Sequence, residues 1–171
     1  MLTPLLDIRD LHTYFATKDG LMKAVNGVSL SLKRDSVLGL VGESASGKTV
    51  TALSILQLVP FPGEIVGGSV QYGGAELLDL KPDDMRHIRG REISMIFQDA
   101  MSSLNPVIQV GRQIEEIMLA HTGMNVGEAR EVAVDLLSQM GIPDARRMLD
   151  RYPFQLSGGM AQRVMMAMGL A

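Results

Sequence analysis

The apolar positions of the chain fall into two textures. Through the first hundred residues, short apolar runs alternate with turn residues. Leu5–Phe15 and Ala24–Leu32 read as strands separated by a polar turn at Lys18-Asp19-Gly20. Ser36–Val41 is a near-continuous apolar run bounded by Asp35 and Gly42, the pattern of a strand buried on both faces. A helix is predicted from Gly47 to about Val59, where Pro60 and Pro62 end it, and Gly67–Tyr72 and Ile93–Phe97 read as two further strands. From about residue 99 the period lengthens. Val110, Ile114, Ile117 and Met118 share one helical face, and Ala129, Val132, Ala133, Leu136, Leu137 and Met140 keep that rhythm up to Gly141, a C-terminal cap. Beyond Pro143 and Pro153, Ser157 is placed to cap a last helix running to the chain end. Strands with one helix, followed by a helical segment, predict an α/β core with an α-helical insertion.

Composition narrows the class of protein. At 171 residues, 46% hydrophobic and 20% charged, the chain has the size and core-forming content of about one globular domain. Its formal charge of −3 gives no basic excess to recommend nucleic acid as a partner. The absence of cysteine removes disulfides, thiolate metal sites and cysteine nucleophiles, and fits a reducing compartment. No apolar stretch approaches the ~18 residues needed to span a bilayer, and the start Met1-Leu-Thr-Pro-Leu-Leu-Asp does not read as a secretion signal. Met160, Met165, Met166 and Met168 crowd the last helix, where flexible core filling is the plainer reading than a methionine-rich binding surface. Arg86, His87, Arg89 and Arg91 read as a solvated face.

The chemistry concentrates at Gly42-Glu43-Ser44-Ala45-Ser46-Gly47-Lys48-Thr49, which satisfies G-x-x-x-x-G-K-[ST] between a predicted strand and a predicted helix. Glycines let the backbone wrap a phosphate, and the helix start turns open N–H groups and a positive dipole end toward the anion. Lys48 would reach the β- and γ-phosphates, and the Thr49 hydroxyl would ligate Mg²⁺. The plain alternative is a glycine-rich strand-to-helix turn carrying a surface lysine. Two further segments narrow the reading. Gln98 ends the run Ile93-Ser-Met-Ile-Phe97, where an amide could meet Mg²⁺ or water, or simply be solvated. Ser157-Gly158-Gly159 opens a helix with a hydroxyl and exposed amides, a second anion site or an ordinary cap and turn.

Taken in order, these segments resemble the ATP-binding subunit of an ABC (ATP-binding cassette) transporter, and more narrowly the oligopeptide/dipeptide/nickel importer group. The likeness is carried by the phosphate loop, by Ala24-Val-Asn-Gly-Val-Ser29, by Met95-Ile-Phe-Gln98-Asp99, by Ser103-Leu-Asn-Pro106, and by Tyr152-Pro-Phe-Gln-Leu-Ser157-Gly-Gly-Met160 with Gln162-Arg163-Val164. It covers the chain from about residue 5. The resemblance implies a P-loop NTPase core of ABC type with an antiparallel β subdomain and an α-helical insertion. Residues 1–171 would then be a partial ATP-binding domain, with a β and phosphate-loop portion over 1–97 and a Q-loop, helical and signature portion over 98–171.

In that family two subunits close head to tail over two ATP molecules. By position, Gly42, Glu43, Ser44, Ala45, Ser46, Gly47, Lys48 and Thr49 would hold the phosphates in cis, while Ser157, Gly158 and Gly159 would meet the γ-phosphate in trans. Phe15 falls where the family stacks an aromatic on adenine, with Tyr14 as rival and an ordinary strand position as the plain reading. Gln98, with Thr49, would serve Mg²⁺ and couple it to the helical segment. The partners implied are transmembrane permease subunits, a second ATP-binding subunit and, indirectly, an extracytoplasmic solute-binding protein. The place implied is the cytoplasmic face of the inner membrane, as a peripheral protein.

The family's Walker B aspartate, catalytic glutamate and switch histidine find no match before Ala171, so no catalytic residue is assigned. His12, His87 and His121 match no switch position. The expectation is that Ser36–Val41 and Ile93–Phe97 leave unpaired edges, and that this polypeptide alone hydrolyses little or no ATP. Four positions depart from the group's pattern: Ala45 stands for a glycine in the phosphate loop, Asp35-Ser36 for Gly-Glu, Ala100 for a proline and Ala161 for an arginine. At Ala45 a required positive φ would cost roughly 1 kcal/mol. Two other readings remain beside the importer motor: a catalytically incomplete nucleotide-binding fragment, and a non-transport ABC ATPase.

Overall fold

A computed structural model describes residues 4–171, so Met1-Leu-Thr of the predicted amino-terminal segment lies outside the described residues. The chain divides into two units, one ending at Met85 and the other spanning Arg86–Ala171.

The first unit is built on a four-stranded antiparallel sheet. Strand β1 (Leu6–Thr17) and strand β2 (Gly20–Leu32) form a hairpin across the two residues Lys18-Asp19, and the Thr17 hydroxyl donates to the Gly20 carbonyl at 2.7 Å. After helix α1 (Lys48–Ile55), strand β3 (Gly63–Tyr72) pairs with the other side of β1, and the short β4 (Ala75–Glu76) extends it to the order β2-β1-β3-β4. Extra residues in the ladder decide which side chains face the core. Around Arg9-Asp10 the register slips, and Asp10 takes φ +48°, so Ile8 and Leu11 both turn inward although three residues apart. A slip further along the same pair leaves Ala24 as an extra residue between the pairs Thr13–Val25 and Tyr14–Lys23. Helix α1 packs on this sheet through a buried hydroxyl pair, Thr13 Oγ1 to Ser54 Oγ at 2.8 Å, beside Val25 and Leu56.

Two predicted strands of the sequence reading are corrected here. Ser36–Val41 forms no strand: Val37 is fully exposed and Val41 is 93% exposed. Ile93–Phe97 reduces to a single bridge from Ile93 to Arg89, with Ile96 and Phe97 exposed. Both runs have the composition of buried parallel strands, yet such a strand exists only when neighbours take up its N–H and C=O groups. Among the described residues no strand lies alongside either. Helix α1 also stops earlier than the prolines require. Gln57 takes φ +50°, and the amides of Gln57 and Leu58 turn back to the Ser54 and Leu53 carbonyls.

Helix α2 (Pro82–Ile88) spans the division between the units, and the second unit then holds α3 (Ala100–Ser103), α4 (Val110–His121), α5 (Val126–Gln139), α6 (Ala145–Met148), a 3-10 turn at Pro153–Gln155 and α7 (Gly158–Leu170). The predicted faces of α4 and α5 turn inward, Val110, Ile114 and Met118 and then Ala129, Ala133 and Leu137 fully buried while Val132, Leu136 and Met140 are partly so, and Ala161, Val164 and Ala167 of α7 close the same core. Helix α5 starts with a capping box between Asn125 and Glu128 and ends at Gly141, whose amide returns to the Ser138 carbonyl. Arg163 of α7 donates to the Gly141 and Met140 carbonyls at that end (2.8 and 3.3 Å). Between α4 and α5 the buried Glu115 carboxylate meets Arg130 at 3.1 Å, and Arg130 also holds Asp150 at 2.7 Å. Among the described residues no helix is long and apolar enough to cross a membrane.

Candidate functional site

The loop Gly42–Gly47 leads straight into α1, and its geometry follows from a close backbone approach. Gly47, at φ +91°, is the N-cap, and a Cβ there would lie 2.2 Å from the carbonyl oxygen of Ala24, the extra residue in β2. The strand irregularity and the glycine are therefore one feature: the bulged carbonyl occupies the space a side chain would need. Because Gly47 brings no side chain to cap α1, the first-turn amides keep their donor capacity directed out of the helix start. Ala45 takes φ +64° in the turn before it, so the condition set by the sequence is met, and this alanine carries the strain that a glycine would not.

Lys48 turns back into the loop. Its ammonium donates to the Gly42 carbonyl (2.7 Å), the Glu43 carbonyl (2.6 Å) and Ser46 Oγ (3.2 Å). A cation is thus held over a ring of main chain at a helix start, the arrangement that attracts an anion with several oxygens. Ser46 completes the turn through its amide to the Glu43 carbonyl, and Thr49 stands exposed on the first turn of α1. Beside the loop lies an open cavity of about 490 Å³, lined by Ala45, Ser46, Gly47, Lys48, Thr49 and Val50 together with Met22, Lys23 and Ala24 of β2.

Phe15 is not among the residues lining that cavity. Its ring packs over Gly63, within 2.5 Å of where a Cβ would sit there, beside Val59. Tyr14 is tied down as well: its hydroxyl donates to Asn26 Oδ1 at 2.8 Å and lies 3.1 Å from His12 Nδ1, and the Lys23 ammonium sits 5.5 Å from its ring centre.

The remaining sequence candidates belong to the second unit. Gln98 is exposed at the end of the Ile93–Phe97 run. Its neighbour Asp99 is the N-cap of α3, accepting from the Met101 and Ser102 amides at 3.1 and 3.2 Å. The Ser102 amide and hydroxyl, and then the Met101 amide, hold its carboxyl below the usual aspartate range. Ser157 caps α7 by accepting from the Met160 amide, and a Cβ on Gly158 or Gly159 would meet nothing within 4 Å. Nothing inside the unit requires glycine at these two places, and as the first residues of α7 their amides have no carbonyl partner within the helix. Ala161, where the family pattern has an arginine, is fully buried in the core.

Two site features were not read from the sequence. Lys23 lines the loop cavity, a placement that depends on the slip at Ala24. Gln113, buried on α4, clamps the segment after α3, donating to the Asn105 and Ile108 carbonyls (3.0 and 2.8 Å) and accepting from the Asn105 amide (2.9 Å). A polar residue inside the apolar stripe of α4 was the available signal for it.

Comparison with known proteins places this geometry in context. The family described as ABC transporter matches residues 25–171. The chain is 44% identical over 167 residues to the dipeptide transport ATP-binding protein DppD of Escherichia coli, covering 98% of this chain and 51% of that protein. To the oligopeptide transport ATP-binding protein OppD of Salmonella typhimurium it is 45% identical over 166 residues, covering 97% and 49%. The chain therefore spans about half the length of the curated relatives it matches. Among solved structures, a bacterial ABC transporter cassette in dimeric form superimposes with a TM-score of 0.86 at 26% identity, over 97% of this chain and 69% of that one.

Proposed function

The chain belongs to the ABC transporter family, and from that membership we propose that Gly42–Thr49 is the phosphate-binding wall of an ATP site in a subunit that energises a membrane importer of peptides or similar small solutes. The observation that carries this reading is the Lys48 ammonium gathered over the Gly42 and Glu43 carbonyls at the uncapped start of α1. A triphosphate entering there meets open amides, a helix dipole and a cation that needs only to exchange carbonyl partners for phosphate oxygens. Thr49, exposed on the first turn of α1, suits a bound Mg²⁺ beside the phosphates as a neutral side chain with a hard oxygen donor, and Gln98 of the second unit offers an exposed amide oxygen of the same kind. An ion held there would offset the charge of the phosphate oxygens.

Ser157, Gly158 and Gly159 serve a nucleotide held by a second ATP-binding subunit. Their open amides, with no internal demand for glycine, support that role, as does the dimeric form of the matching cassette. Phe15 and Tyr14 remain the aromatics available for the base; either must give up its present packing to reach it. ATP uptake closes two surfaces that part when the γ-phosphate leaves, and permease subunits read that cycle. The peptide class rests on the named roles of the relatives, and the site on the cytoplasmic membrane face follows from that class.

Equilibrium dialysis against labelled ATP tests the site. The wild-type chain is expected to take up one equivalent and Lys48→Ala to lose it while keeping its circular dichroism. Equal uptake by Lys48→Ala would overturn the assignment.

A further inference from the structure

We propose that Lys23 is a second cationic contact for the nucleotide, held ready on β2 to close on the phosphate nearest the nucleoside. This inference rests on the ATP reading of the Gly42–Thr49 loop and adds a residue that the phosphate-loop motif does not contain. The slip at Ala24 pairs Lys23 with Tyr14 and brings Met22, Lys23 and Ala24 to the wall of the cavity whose other lining is Ala45–Val50.

Two lysines therefore border one cavity in different conditions. The Lys48 ammonium is taken up by two carbonyls and a hydroxyl of the loop itself. Lys23 is exposed, and its ammonium rests against the Tyr14 ring at 5.5 Å. That ring is fixed from behind by Asn26 and His12, so it parks the ammonium without competing strongly for it. A cation–π contact at an exposed site is weaker than a charge-assisted hydrogen bond to phosphate, so an anion in the cavity draws Lys23 away from the ring.

Lys48 and the start of α1 claim the terminal phosphates, which leaves the inner end of the phosphate chain to the β2 wall. An ammonium there senses a charge common to ATP and ADP. It sets affinity for the nucleotide without reporting whether the γ-phosphate is present.

The test is calorimetric titration of ATP and ADP into wild type, Lys23→Met and Lys23→Arg at two salt concentrations, with thermal melts to confirm equal folding. Lys23→Met should weaken both nucleotides by the same factor, about three- to tenfold, and flatten the salt dependence, while Lys23→Arg stays near wild type. Wild-type affinity in Lys23→Met, or a loss confined to ATP, would overturn the proposal. If the wild-type chain itself takes up neither nucleotide, the ATP reading falls, and this inference falls with it.

Discussion

Replacing Gly47 by alanine puts the loop geometry to a quantitative test, because the fold supplies its own control. Gly47 and Gly74 share nearly the same positive φ, +91° and +90°. A Cβ on Gly74 meets nothing within 4 Å, whereas one on Gly47 lies 2.2 Å from the Ala24 carbonyl oxygen. Both alanine variants incur the left-handed backbone cost of about 1 kcal/mol. Only Gly47→Ala must also push the loop and β2 apart by roughly 1 Å, a backbone displacement costing about 1–3 kcal/mol more. Gly74→Ala should therefore lower the midpoint of thermal unfolding by about 2–4 °C and Gly47→Ala by about 5–15 °C. Because the displaced segment is the phosphate loop, Gly47→Ala should also weaken nucleotide binding by more than about tenfold, while Gly74→Ala leaves it unchanged. Melts by circular dichroism and a fluorescent-nucleotide titration read the two effects. Equal destabilisation by both variants, or undiminished binding in Gly47→Ala, would refute the claim that the bulged Ala24 carbonyl shapes the loop.

Three further predictions concern the scaffold. Arg130→Met leaves the buried Glu115 carboxylate without its partner and should cost about 2–3 kcal/mol, discounted from a fully buried pair because Arg130 reaches solvent. In urea unfolding, Glu115→Gln combined with Arg130→Met should cost less than the two singles added, and strict additivity would contradict the coupling. Gln113→Leu strands the Asn105 amide and the Asn105 and Ile108 carbonyls, for a loss of about 1–3 kcal/mol and faster amide exchange at Asn105. The third is a pH dependence. At Glu76, burial works against the charge, but the Ser69 hydroxyl and the Val70 and Leu78 amides outweigh it and hold the carboxyl below the usual glutamate range. Asp99 is lowered by Ser102, and Glu131 by its hydrogen bond to Arg146. Carboxyls whose folded values lie below their unfolded ones add stability above the ordinary range near pH ~4, and that stability is lost as pH falls through the folded values. Melting midpoints should hold level down to that range and drop below it, with a smaller drop in Glu76→Gln.

Much of the fold was open to reading because its signals are local. The β1–β2 hairpin, the period of α4 and α5, the Gly141 stop and the Ser157 cap each depend on residues a few positions apart, and each stands where the pattern put it. The two misread strands show the limit. Apolar composition at Ser36–Val41 and Ile93–Phe97 reports what a segment would bury, while strand formation depends on a neighbour elsewhere in the fold. The phosphate loop was legible as a motif, but the reason Gly47 is fixed was not. That reason lies in a register slip at Ala24, and the same slip brings Lys23 to the cavity and was equally hidden. Asp99 carries a local signal too: an aspartate followed by Ala-Met-Ser-Ser is a helix start, and it caps α3.

The most direct test of the ATP assignment is isothermal calorimetry of the wild-type chain with ATP, with and without Mg²⁺, beside Lys48→Ala. Saturable binding at one nucleotide per chain is expected, strengthened by Mg²⁺ and lost in Lys48→Ala. Heats that never saturate for a folded wild-type chain, or binding indifferent to Lys48, would contradict it.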